Sequence, residues 1–192
     1  MKITGKKQTF FLRTAMMVLT TILIVLFFAI MSMVGKIQGT ARVVNYAGLV
    51  RGGTQQMVKL EISGTPQDKM YQTISSYIEG LRNGSDELNF VCLDDQKFQR
   101  KMDELAGYFE ELRDEILLVR EKGYENTDII EKSEIFFRLC DEAVGLSEEY
   151  SQRKATALDY LEKVVIVDIL GLILLIGAEL IKAVRFAAMN RI

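Results

Sequence analysis

The chain of 192 residues contains no histidine, no tryptophan, one proline and two cysteines. The absence of histidine excludes histidine-based metal sites, histidine-assisted serine or cysteine nucleophiles, and a histidine that accepts a phosphoryl group. Aromatic and methionine positions such as Phe98, Met102 and Phe109 are predicted to belong to the core rather than to a cofactor site, and no cofactor is expected. Pro66 is the only proline, and apolar and polar residues do not alternate over any length. This pattern favours helices over strands, so the fold class is predicted to be all-α.

Charged residues are missing from two stretches. Residues 15–34 contain no Asp, Glu, Lys or Arg, and residues 164–181 contain only Asp168 and Glu179. A helix needs about 20 apolar residues to cross a bilayer core. Two transmembrane helices are therefore predicted, at 15–34 and 164–184. The alternative for the first stretch is a cleaved signal peptide, whose apolar region would be shorter, about 7–15 residues, and would end at a small-residue cleavage site.

Two further predictions concern the ionisable residues in and next to the second span. Asp168 is expected near the outer boundary of the membrane, where a carboxylate reaches water more easily than at the bilayer centre. Glu179 and Lys182 are three residues apart near the inner boundary. They are predicted to form a local ion pair on one helix face.

Charge predicts the orientation of the chain. Residues 1–14 and 182–192 carry only basic charges, so the positive-inside rule places both tails in the cytoplasm. The middle segment has 17 basic and 24 acidic residues, which gives a net charge near −7. It is expected on the extracytoplasmic side of the membrane. This charge argues against a nucleic-acid partner. Paired acids such as Asp114 and Glu115 have basic residues nearby and are predicted to lie on solvated helix faces.

The middle segment is predicted to contain four helices separated by short turns. The first helix continues out of the membrane to about Ile62, and Pro66 begins the second at its first turn. Asp94 or Asp95 caps the third, which Gly123 ends. Asp128 and Glu131 form a capping box for the fourth, which runs without a breaker into the second span. This predicts an antiparallel up-down four-helix bundle whose outer helices are continuous with the two transmembrane helices.

Apolar residues in these helices recur in steps of four and three, which is typical of a buried seam. The third helix carries Phe98, Met102, Leu105, Phe109, Leu112, Ile116 and Val119. The fourth carries Ile135, Leu139, Ala143, Leu146, Tyr150, Ala157 and Leu161. The resulting plan is a cytoplasmic tail (1–14), a span (15–34), an extracytoplasmic bundle (35–163), a span (164–184) and a cytoplasmic connector (185–192).

The first helix breaks the rules of helix propensity. Its core line is regular and consists of Val43, Ala47, Val50, Thr54 and Met57. Three glycines, Gly48, Gly52 and Gly53, lie in the middle of the same segment. Each glycine costs about 1 kcal/mol in a helix interior relative to alanine. Local rules are most often broken at functional sites, so this segment is the first place to look for one.

The spacing of small and polar residues in this helix suggests a ligand site at a homodimer interface. Gly48 and Gly52 share one face, on which a second helix could approach closely. Arg51 could hold an anion between two copies, since guanidinium groups bind oxyanions through paired N–H groups. The alternative is that Arg51 lies on a solvated face and pairs with an acid. The candidate ligand-binding residues are Asn45, Gly48, Arg51, Gly52, Thr54 and Gln55.

One stretch of this helix resembles a sequence motif in the sensor domains of bacterial nitrate/nitrite receptor kinases. The stretch is Asn45-x-Ala47-Gly48-x-x-Arg51, followed by Gln55 or Gln56 and by Lys59. It also resembles the N-terminal domain of type IV pilus chemotaxis transducers. The resemblance implies an extracytoplasmic four-helix bundle in which Arg51 contacts an anion at the dimer interface. The whole chain resembles the membrane sensor of clostridial receptors that carry a diguanylate cyclase after the second span.

The leading hypothesis is a non-enzymatic input module of a bacterial receptor, acting as a homodimer. It would bind a small ligand, such as an anion, or an extracytoplasmic protein. The alternative is a stand-alone two-span scaffold with no small-molecule ligand, and a transporter or channel subunit is a weaker third. Cys92 and Cys140 allow two interpretations, a disulfide or two buried thiols.

Overall fold

The structure is a computed structural model that describes residues 2–89 and 91–189. Within these ranges the chain folds into four α-helices and one short 3-10 helix, with no strand. The helices are α1 (Lys2–Ile62), α2 (Asp68–Asn83), α3 (Gln96–Lys122) and α4 (Ile129–Met189), and the 3-10 helix is Tyr124–Asn126. The all-α prediction is confirmed, and each predicted helix is present.

The ends of α3 follow from two local signals in the sequence. Asp95 accepts hydrogen bonds from the backbone N–H groups of Lys97 and Phe98, both at 3.0 Å, and so caps the helix. Gly123 has a φ of 78° and its N–H donates to the Val119 carbonyl, which ends the helix. That backbone conformation favours glycine because it has no Cβ.

The predicted start of α2 and the predicted capping box of α4 are wrong, and in each case a buried carboxylate accepts from the N–H group concerned, whereas α4 begins next to Asp128 as predicted. α2 begins at Asp68 rather than at Pro66, because the Gln67 N–H donates to Glu61 Oε1 at 2.7 Å and the Gln67 backbone is not helical. The expected capping box of α4 does not form. The Asp128 N–H donates to Glu115 of α3 at 2.8 Å instead of to Glu131.

The chain divides into two compact units. The core unit comprises Gly35–Lys154, and the two-helix unit comprises Met1–Val34 together with Ala155–Ile192. Both α1 and α4 are single helices of 61 residues and contribute residues to both units. The core unit contains α2 and α3 in full.

All four helices contribute to one hydrophobic core in the core unit. The predicted lines on α1 and α3 are fully buried, including Thr54 and all seven positions of the α3 seam. α2 adds Ile74, Ile78 and Leu81. In the segment before α3, Leu93 is buried in the core, and the partly exposed Val91 side chain lies so close to Gly39 of α1 that a Cβ there would be only 2.7 Å from it.

The predicted core line of α4 is only partly right. Leu139 and Ala143 are buried as expected, but Ile135, Leu146 and Tyr150 are only partly buried. The buried line is instead made by the set Ile129, Ser133, Phe136, Cys140, Ala143 and Ser147. Hydrophobic periodicity missed it because two of its members are serines. Each serine satisfies its hydroxyl on a backbone carbonyl three residues earlier, at 2.8 and 2.7 Å.

The side chains of the two-helix unit are mostly apolar and mostly exposed. Its two helices are long and apolar enough to span a membrane, with 0% and 6% of their most apolar windows buried. The Asp168 side chain is buried in this unit, and its Oδ2 has no hydrogen-bond partner among the described residues. The predicted Glu179–Lys182 pair is absent, since Glu179 Oε1 and Lys182 Nζ are buried without partners in the described chain.

The capping role of Asp95 gives a prediction for stability. Asp95→Ala removes the acceptor of two N–H groups and the partner of Arg153, which lies 2.6 Å away. We expect a loss of about 1–2 kcal/mol in unfolding free energy, and a smaller loss for Asp95→Asn, which keeps a capping oxygen. Thermal unfolding of the full chain in detergent, followed by circular dichroism, measures both.

The same contacts fix how this loss depends on pH. The hydrogen bond from the Phe98 N–H is the largest cause that lowers the pKa of Asp95 below its ordinary 3.8. The stabilisation is therefore complete above pH 3.8 and disappears as the pH falls through the lowered pKa. An Asp95→Ala effect of equal size at pH 7 and at strongly acidic pH would contradict this role.

Candidate functional site

A polar contact joins α1 to α4 in the core unit. Arg51 Nη1 donates to Asp141 Oδ1 at 2.5 Å, and the guanidinium lies 5.6 Å from the centroid of the Phe137 ring. One turn along, Gln55 Nε2 donates to the Ser133 carbonyl at 3.4 Å. The Arg51 and Asp141 side chains are 36% and 61% exposed, so their pair contributes only about 0.2–1 kcal/mol. We call these residues the Arg51 contact.

The structure brings together only part of the predicted ligand-binding set. Arg51 and Gln55 both face α4, whereas Asn45 and Gly52 are exposed. Thr54 is 1% exposed inside the core, and its Oγ1 has no hydrogen-bond partner among the described residues. Gly48 is partly buried. The six residues therefore do not line one pocket within a single chain.

Packing does not require glycine at Gly48, Gly52 or Gly53. A Cβ at Gly53 would lie 3.4 Å from Ile74 Cδ1 of α2, which is an ordinary van der Waals contact. A Cβ at Gly48 or at Gly52 would meet no neighbouring atom within 4 Å. The described part of the chain therefore gives these three positions no packing reason for glycine.

An ion pair between a buried carboxylate and a partly exposed guanidinium lies where α1, α2 and α3 meet. Glu61 is only 4% exposed, and its two oxygens accept from Arg120 Nε at 2.9 Å and Arg120 Nη2 at 2.6 Å. Arg120 Nη2 also donates to Asp68 Oδ1 at 2.8 Å. The hydrogen bonds to Glu61, and next those to Asp68, raise the pKa of Arg120 further above its ordinary value. Arg120 therefore remains a fixed cation.

A cavity of about 430 Å³ opens beside this pair. Arg113 also lines it and lies 5.2 Å from the centroid of the Tyr71 ring. That ring stacks in parallel on Phe109, and its hydroxyl donates to Glu110 Oε1 at 2.9 Å. The remaining lining residues of the cavity are Met57, Asp68, Gln72, Ile116 and Leu117. The cavity combines charges of both signs with an apolar wall, so it has the composition of a small-molecule site.

A second buried carboxylate holds α3 to the start of α4. Glu115 is 5% exposed and accepts from Lys132 Nζ at 2.8 Å and from the Asp128 N–H. The hydrogen bond from Lys132 is the largest cause that lowers the pKa of Glu115. The prediction that Glu115 lies on a solvated face is therefore wrong.

The two cysteines are separate free thiols, which answers the question of a disulfide. Cys92 is exposed, whereas Cys140 is buried in the core, where desolvation raises its pKa to about 12. The prediction of two buried thiols is thus right for Cys140 alone. No group of three or more potential metal ligands occurs among the described residues.

Sequence reasoning missed the residues of the Glu61–Arg120 pair. Glu61 continues the four-and-three core line of α1 after Thr54 and Met57, and a carboxylate on a core line signals a buried partner. That signal was present in the sequence. The identity of the partner was not, because Arg120 is 59 residues away along the chain.

No family model matches the chain, and searches of curated proteins and of solved structures give no match either. The class that the structure itself defines is an all-helical chain with two helices long and apolar enough to cross a membrane. The likeness of residues 45–59 to the nitrate-receptor motif stays a prediction.

Removing the buried carboxylate should destabilise the core unit strongly. Glu61→Ala deletes both acceptors of Arg120 and the acceptor of the Gln67 N–H. We expect a loss of about 2 kcal/mol, because the substitution removes charge-assisted hydrogen bonds to a buried carboxylate while Arg120 keeps Asp68 as a partner. Urea unfolding of the full chain in detergent measures it.

Glu121→Ala is the matched control, since Glu121 is an exposed neighbour of Arg120 on α3. We expect it to change unfolding free energy by no more than about 0.5 kcal/mol. Equal midpoints for the two variants would mean that the Glu61–Arg120 pair contributes nothing to stability.

Proposed function

We propose that the chain is the signal-input module of a bacterial membrane receptor. Its core unit would sense a small ligand outside the cytoplasmic membrane, and its two apolar helices would cross that membrane. The observation that carries the proposal is that α1 and α4 are each a single helix containing both core residues and an apolar segment of spanning length. Because each helix is continuous, a displacement of that helix in the core unit would be transmitted along it to the apolar segment.

The arrangement that this function requires is an antiparallel up-down bundle, and the cross-helix contacts support it. Asp68 and Arg82, at opposite ends of α2, pair with the late Arg120 and the early Asp103 of α3. On α1 and α4 the order also reverses, since Gln55 contacts Ser133 and the earlier Arg51 contacts the later Asp141. An even number of helices returns the chain to the membrane surface from which it left.

The proposed ligand site is the Arg51 contact. An oxyanion with two acceptor oxygens would compete with Asp141 for the guanidinium, and the exposed pair opposes this by only about 0.2–1 kcal/mol. When Arg51 binds the anion, Asp141 loses its partner, and one contact between α1 and α4 is broken. A shift of about 1–2 Å between these helices is the usual size of such a signal.

A second copy of the chain and a cytoplasmic output complete the proposal. The open space at Gly48 and Gly52 suits the close approach of another helix backbone, as in a homodimer. The bacterial family resemblance makes a diguanylate cyclase the first candidate for the output domain. The tails with only basic charges support a cytoplasmic position for both ends.

Thermal shift of the full chain in lipid nanodiscs, with nitrate, nitrite, formate and acetate as probes, tests the ligand site. We expect at least one anion to raise the melting temperature, and Arg51→Gln to abolish the shift. Asp141→Asn should tighten binding by up to about fivefold, because it removes the competing carboxylate.

Arg42→Gln is the matched control, because Arg42 is an exposed arginine of the same helix. Its anion response should equal that of the unmodified chain. The Arg51 site is excluded if no probe shifts the melting temperature, or if Arg51→Gln and Arg42→Gln respond alike, and the scaffold alternative then becomes the better interpretation.

A further inference from the structure

The cavity between α1, α2 and α3 is separate from the Arg51 contact and has the size of a ligand site. Its volume of about 430 Å³ falls within the range of about 300–1,000 Å³ that small-molecule sites occupy. Two guanidinium groups and two carboxylates line it, so its formal net charge is zero. A lining with separated but balanced charges favours a ligand that carries both signs.

Arg120 presents a preorganised donor to this cavity. Glu61 and Asp68 engage its Nε and Nη2, which fixes the plane of the guanidinium. Its Nη1 donates to none of the described residues, although the side chain is 29% exposed and lines the cavity. A carboxylate that binds Nη1 would therefore meet a cation that needs no rearrangement.

Arg113 supplies a second positive group on the same face of α3, seven residues before Arg120. Its contact with Glu110 is long, at 3.5 Å, and its guanidinium rests over the Tyr71 ring. Most of its N–H groups therefore make no hydrogen bond to the described residues. A ligand carboxylate near Arg120 Nη1 could accept from Arg113 as well.

Asp68 supplies the negative group. Its Oδ1 binds Arg120, whereas its side chain is 74% exposed and its Oδ2 accepts from none of the described residues. The adjacent Asp68 and Arg120 thus form a charge pair that is complementary to an adjacent ammonium and carboxylate. That is the head group of an α-amino acid.

We propose that this cavity binds an α-amino acid as its zwitterion. The ligand carboxylate binds Arg120 Nη1 and Arg113, and the ligand ammonium binds Asp68 Oδ2. An aliphatic side chain packs on Leu117, which is the exposed apolar residue of the cavity wall. A simple anion would be repelled by Glu61 and Asp68, and a simple cation by the two arginines.

Isothermal titration calorimetry on the full chain in nanodiscs tests both charges of the ligand. The probes are L-leucine, L-valine and L-methionine, with 4-methylpentanoate as leucine without its ammonium and 3-methylbutylamine as leucine without its carboxylate. We expect at least one amino acid to bind, and each leucine analogue to bind at least about tenfold more weakly than leucine.

Paired variants locate the site. Asp68→Asn and Arg113→Gln should each weaken amino-acid binding by about tenfold, because each removes a charged hydrogen-bond partner of the ligand. Asp114→Asn and Arg100→Gln are the matched controls, as both lie at exposed positions of α3 away from the cavity. They should leave the affinity within about twofold. Circular dichroism of all four variants checks that each is folded.

The proposal is overturned if no probe binds at concentrations up to about 10 mM, if an analogue with one charge binds as well as leucine, or if the site variants behave as their controls do. Arg51→Gln should leave amino-acid binding unchanged. The outcome is therefore independent of the anion site proposed above, and either proposal can fail while the other holds.

Discussion

The buried seam along α3 is the constraint on which the rest of the core unit depends. Its seven apolar positions are all buried, and the other three helices place their own side chains against it. Protein interiors are packed about as densely as organic crystals, so this seam fixes how α1, α2 and α4 are placed around α3. The polar contacts between helices follow from that placement. They lie where the helix edges meet, and at Glu61 and Glu115 where a carboxylate enters the core.

These polar contacts differ greatly in strength, and the proposed function depends on that difference. In the Glu61–Arg120 pair the carboxylate is buried and both of its oxygens accept hydrogen bonds, so it joins α1 firmly to α3 and to the start of α2. The Arg51–Asp141 pair is exposed, and separating it costs little free energy. Of the two ion pairs that α1 makes with other helices among the described residues of the core unit, one is therefore firm and one is weak. A ligand that changed the weak pair would move α1 against α4 without unfolding the core.

Periodicity and capping rules predicted much of this fold but only part of its chemistry. The α3 seam, the Asp95 cap and the Gly123 stop follow from the sequence because each depends on residues within one or two turns. The core line of α4 was displaced because serines can be buried when their hydroxyls bond to the backbone. The partners of Arg51 and Glu61 lie 90 and 59 residues away, and local spacing contains no information about them.

Labelling of Cys92 in intact spheroplasts is the most direct measurement of the central claim, that the core unit lies outside the cytoplasmic membrane between two spans. Cys92 is exposed and Cys140 is buried with its pKa raised to about 12, so a membrane-impermeant maleimide should report on Cys92 alone. We predict labelling in intact spheroplasts that Cys92→Ser abolishes, and labelling of a Thr4→Cys, Cys92→Ser variant only after permeabilisation. Labelling of Cys92 only after permeabilisation would contradict the claim.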